Sequence, residues 1–163
     1  MNFKGHVTGG IISSAVVATT SFLLMPTTLP IASPLVLLCF CFCMSLFPDL
    51  DVASKPQQYY YRSLVIILPI LYYIEERDLL EIVSYFSFLP LIHHHRGYTH
   101  WKITPWVMSI IFLIFLDRFY PLEGYSPNVI WSSAAFITLA IVTGHYTHLF
   151  LDSKFFRNNS NHH

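Results

Sequence analysis

Long apolar runs alternate with short polar breaks along this chain, and the runs have the length of helices that cross a bilayer. A crossing needs about 17 to 25 mostly apolar residues, and four windows meet that requirement: residues 9–25, 31–47, 103–120 and 129–151. Pro26-Thr27-Thr28-Leu29-Pro30 joins the first two, and its prolines end one helix and force a tight return. Pro121-Leu122-Glu123-Gly124-Tyr125-Ser126-Pro127 joins the last two with turn chemistry. The pattern therefore predicts two helical hairpins. Between them, residues 63–74 and 79–92 are apolar but short, with Glu75-Glu76-Arg77-Asp78 separating them. They read as two short crossings, or as helices lying in the interface or against the bundle, and each option leaves the parity of the topology unchanged.

Composition fixes the solvent. Of 163 residues, 54% are hydrophobic and 11% charged, against roughly 25% charged in soluble domains. Disordered and ordinary soluble readings are excluded, and the expected fold class is all-α: an integral membrane helical bundle with at least four transmembrane helices, forming a single domain over residues 1–163. Nine Lys+Arg balance nine Asp+Glu, so no net field draws the chain to nucleic acid. Cys39, Cys41 and Cys43 alternate inside one apolar run and lack a second cluster, which points to packing or lipid-facing roles. The first run follows Lys4 and His6 without a small-residue cleavage site, so it is expected to remain as a helix. With the hairpins drawn, Lys4, Lys55, Arg62, Arg96, Lys102, Lys154 and Arg157 share one face and Arg118 lies on the other. The basic excess places both termini in the cytoplasm.

The polar chemistry follows the same topology. Four clusters fall at the same ends of their helices: His6 before the first span, Asp49 and Asp51 after the second, His93 to His100 before the third, and His145, His148 and Asp152 closing the fourth. Metal ligands are thus expected at one set of helix ends. Imidazole and carboxylate suit divalent ions, Zn²⁺ first with Mn²⁺ or Fe²⁺ as alternatives, and no thiolate competes. His148 and Asp152 are four apart on one helix and share a face, with His145 close to it. Asp49 and Asp51 are two apart beyond a proline, where both carboxylates can point one way. His95 and His100 flank Gly97, whose freedom lets both rings turn inward. Arg96 is the natural donor to an anionic oxygen. Tyr59-Tyr60-Tyr61, Tyr72-Tyr73, Trp101, Trp106 and Trp131 read as an interfacial aromatic belt.

These residues carry a resemblance. His6 with Gly9-Gly10, Pro48-Asp49-Leu50-Asp51, His95-Arg96-Gly97-Tyr98-Thr99-His100, and Gly144 with His148-Leu149-Phe150-Leu151-Asp152 resemble the signature blocks of the YdjM-like inner-membrane metal-dependent hydrolases of bacteria. The resemblance implies an enzyme of the bacterial inner membrane, distantly similar to zinc-dependent phospholipase C and P1-type nucleases, which hydrolyse phosphoesters with a helical cluster of ions. Two or more ions held by His6, Asp49, Asp51, His95, His100, His148 and Asp152 would activate water, with Asp49 or Asp51 bridging ions or taking its proton and Arg96 neutralising phosphoryl oxygens. A rim at the lipid surface favours a lipid or membrane-associated substrate over nucleic acid. The rival expectation is a membrane protein that binds or transports a metal without catalysis. A transporter places its ligands nearer the bilayer midplane.

Overall fold

A computed structural model describes residues 3–24, 29–51, 55–75, 77–88, 98–120 and 122–159. Six α-helices run in order: α1 Phe3–Leu24, α2 Pro34–Leu46, α3 Lys55–Tyr73, α4 Arg77–Phe88, α5 Thr104–Phe119 and α6 Pro127–Asn159. Short 3₁₀ turns occupy Pro30–Ala32, Phe47–Asp51 and Tyr98–His100, and no strand occurs among the described residues. The all-helical expectation matches this architecture. Among the described residues, Lys4–Leu24 and Pro127–Ser153 are long and apolar enough to cross a membrane; counting α2, its following turn and α3 as one broken span gives a third.

Two of the four expected spans are shorter than their apolar windows. Pro30 and Pro34 divert the beginning of the second window into a 3₁₀ turn, so that α2 starts with Pro34 in its first turn. Pro48 has no N–H to bond the Met44 carbonyl four residues back, and the chain tightens there into the Phe47–Asp51 turn. What remains is 13 residues, about 20 Å of helix. α5 has 16 residues. Conversely, α1 begins at Phe3, so His6 sits inside the first helix and not ahead of it as the sequence reading has it.

The chain forms two compact units, one of Met1–Phe47 with Lys102–His163 and one of Pro48–Trp101. In the first, α1, α2 and α6 pack pairwise and α5 lies against α6. Their shared core contains Val17, Leu37, Cys41, Leu116, Ile137 and Ile141. The opposite faces expose Ile11, Ile12 and Val16 on α1, Ile110 and Ile114 on α5, and Trp131 and Leu139 on α6. A helix apolar on both its inner and outer faces has hydrocarbon as its solvent. In the second unit, α3 packs on α4.

One buried hydrogen bond closes the α1–α2 return: the Leu29 backbone N–H donates to Ser133 Oγ of α6 at 2.9 Å, with both residues fully buried. Ser133→Ala should strand that N–H and cost about 1–3 kcal/mol. Ser132→Ala, whose hydroxyl bonds its own helix at Val129, should be near neutral. Thermal unfolding of the two variants in detergent checks the contrast; equal melting temperatures would remove the role given to Ser133.

Candidate metal centre

Three close helix contacts build this centre in the first unit. Gly144 on α6 has no room for a side chain, because a Cβ there would run into the Cys41 backbone carbonyl of α2. One turn further along both helices, four residues on in each, stand His148 and Ser45. The close approach therefore brings the Ser45 carbonyl to His148 Nδ1, at 2.9 Å. Gly10 on α1 is closed against the Ser45 side chain in the same way. Gly9 lies against Leu151 and Thr147 of α6. Small residues at these crossings let backbones approach where lipid provides no hydrophobic drive.

The result joins His6 of α1 to the His148–Asp152 pair of α6. His6 Nε2 is 3.1 Å from Asp152 Oδ1, and His148 Nε2 is 3.5 Å from Asp152 Oδ2. The two imidazoles stack with centroids 4.1 Å apart and planes at 14°. His148 is fully buried and His6 nearly so, while the Asp152 side chain keeps 25% of its surface open. Ring nitrogens of His6 and His148 lie within 4.8 Å of one another in one group that could hold a metal ion, and ligand atoms of His148 and Asp152 do so in a second.

The protonation pattern supports that fit. A carbonyl only accepts, so the His148–Ser45 bond puts the proton of a neutral His148 on Nδ1 and leaves the Nε2 lone pair facing the Asp152 carboxylate. That arrangement lets one ion be shared between the ring nitrogen and the carboxylate. A divalent ion satisfies neutral imidazoles and carboxylate together. Two donors each about 2.1 Å from tetrahedral zinc are separated by roughly 3.4 Å, and the observed 3.1 and 3.5 Å straddle that spacing. His6 Nδ1 is buried without a hydrogen-bond partner among the described residues. The Ser45 carbonyl is the outer partner that a metal-bound histidine ordinarily has.

The other expected site residues have separate placements. Asp49 and Asp51 lie in the Phe47–Asp51 turn, Asp49 half-buried, and His100 ends the Tyr98–His100 turn with Nδ1 3.3 Å from Thr99 Oγ1. All three belong to the Pro48–Trp101 unit. His95 and Arg96 lie outside the described residues. His145 is fully buried one turn before His148, its ring edge-on to Tyr146. Tyr146 in turn donates its hydroxyl to the Lys102 carbonyl at 3.0 Å, tying α6 to the approach to α5. Sequence reasoning does not find Ser45, because it acts through a carbonyl that every residue has.

Apolar helices of spanning length around a buried histidine–carboxylate cluster define a helical membrane protein with a candidate metal centre. The chain belongs to the YdjM inner membrane protein family, which it matches over residues 1–155. This makes it a multi-pass protein of the inner membrane. No curated protein and no solved structure matches it.

Proposed function

We propose that this protein is a membrane-bound metal-dependent hydrolase, with His6, His148 and Asp152 holding a divalent ion, zinc first, at the membrane surface. The observation that carries the reading is the cluster itself: His6 and His148 both face the Asp152 carboxylate, at 3.1 and 3.5 Å, while the Ser45 carbonyl engages the other ring nitrogen of His148. Asp152 stands one residue before the end of the spanning segment Pro127–Ser153 and keeps an open edge. That favours an accessible coordination position over a closed structural site. When bound, such an ion supplies Lewis acidity and a water acidified toward neutrality. Ser45 keeps the His148 ring oriented, and Asp152 holds both rings in register.

The family resemblance alone selects a phosphoester of a lipid or membrane-associated substrate, and brings Asp49, Asp51, His95 and His100 into the ligand set and Arg96 onto substrate oxygens. In the same reading α2 and α5 also cross the bilayer, and both termini and the site face the cytoplasm.

Phospholipids, lipid-linked pyrophosphates and chromogenic phosphodiesters, offered to protein in detergent with Zn²⁺ or Mn²⁺, form the direct assay. Hydrolysis should be metal-dependent, and Arg96→Ala should retain metal while losing activity at least tenfold, because its guanidinium is assigned to substrate charge. A folded, metal-loaded sample that turns over none of them leaves a metal-binding membrane protein in place of a hydrolase.

A further inference from the structure

The aliphatic stretch of α3 presents a surface that suits neither water nor an amphipathic interface. From Leu64 to Ile74 every residue is aliphatic, proline or tyrosine. Val65, Ile66, Ile67, Ile70, Tyr72 and Tyr73 are all exposed and together cover more than half the circumference of α3. Only Leu64, Leu68 and Leu71, spaced i, i+4, i+7, are sheltered. A helix lying flat in the interface needs a polar face, and this stretch has none.

Its ends are marked in the way a crossing is marked. Tyr59, Tyr60, Tyr61 and Arg62 stand before the aliphatic stretch and Tyr72 and Tyr73 close it, as aromatic residues do at both membrane surfaces. Four hydroxyls of the hairpin bond carbonyls within it. Ser63 donates to Tyr60 O at 2.7 Å, Ser84 to Leu80 O and Ser87 to Ser84 O at 2.6 Å each, and Tyr61 donates across to Ser87 O at 3.4 Å. Polar groups satisfied within their own hairpin are what hydrocarbon demands.

From these observations we infer that α3 and α4 form a short transmembrane hairpin, with lipid hydrocarbon covering α3 and the Glu75–Arg77 turn emerging on the membrane face opposite Arg62. Tyr61 to Tyr72 covers about 17 Å of helix, less than the full hydrocarbon thickness. Local thinning and outward-reaching Tyr, Arg and Glu side chains make up such a difference at modest cost. A hairpin that dipped without crossing would instead leave Glu75 and Arg77 near the bilayer centre, where charge is costly. Glu75 takes a left-handed backbone, φ 60°, which reverses the chain at the point where the crossing ends.

Single cysteines at Gln58, Ile67 and Glu75 test this, each placed in the native chain and in a background with Cys39, Cys41 and Cys43 replaced by alanine. Gel filtration selects the folded samples, and labelling uses a membrane-impermeant maleimide on right-side-out and inverted vesicles. The expected result is that Gln58→Cys and Glu75→Cys react from opposite sides, each at least tenfold faster from its own. Ile67→Cys should react only after solubilisation in dodecyl sulfate. Reaction of both end positions from the same side would overturn the crossing. Ready labelling of Ile67→Cys in intact vesicles, or oxidative cross-linking of Ile66→Cys between two chains, would show water or a second copy in place of lipid.

Discussion

Replacing His148 by alanine is expected to lower bound divalent metal in the purified protein at least tenfold and to reduce its melting temperature by several degrees. Two losses combine. The ion loses a ligand oriented by the Ser45 carbonyl, and the Asp152 carboxylate loses an imidazole neighbour. Removing one partner of a buried charged cluster costs about 3–5 kcal/mol, with an added contribution from the cavity left by a fully buried ring. Asp152→Asn separates the two effects, since it keeps the shape and removes the charge. It should lose the metal with a smaller change in melting temperature. Elemental analysis together with thermal unfolding in detergent reads both. Unchanged metal content in His148→Ala would end the assignment of this histidine as a ligand.

Gly144→Ala is expected to be as damaging without removing any functional group. The new methyl would collide with the Cys41 carbonyl, a backbone atom that cannot swing aside. α2 and α6 would have to separate, at a cost of about 1–3 kcal/mol or more. Because Ser45 and His148 lie one turn beyond that contact, the separation also lengthens their 2.9 Å hydrogen bond. The variant should therefore fold poorly, and the fraction that folds should bind metal more weakly than the parent. Gly9→Ala, which meets the flexible end of the Leu151 side chain, should be milder on both measures. Equal behaviour of the two glycine variants would mean that the α2–α6 approach does not set the site.

Hydropathy made the helices legible because bilayer spans impose a length and forbid charge, and the prolines at Pro26, Pro30, Pro34 and Pro48 punctuate them. The same prolines shorten α2, a consequence that averaging over an apolar window conceals. The His148–Asp152 pair is visible as a spacing on one helix. Its meeting with His6 is not, since it depends on how closely α1 and α6 approach, and Gly9, Gly10 and Gly144 reveal that only once their neighbours are known. Ser45 left no trace at all in the sequence, because its role belongs to the backbone. Residues 63–74 are ambiguous for a different reason: run length alone does not distinguish a short crossing from a buried helix, whereas apolar exposure over more than half the circumference of α3 excludes the buried one.

Almost the entire chain separates His6 from Asp152, and this has a consequence for biogenesis. A ribosome feeding the membrane insertion machinery delivers α1 and α2 first and α6 last. His6 and the Ser45 carbonyl must wait in the membrane, unanswered by their partners, until the final helix arrives. Closure of the histidine–carboxylate cluster is then a late event, and a chain stalled before α6 presents an uncompensated imidazole among packed helices. The imidazole finds its carboxylate when Asp152 reaches His6.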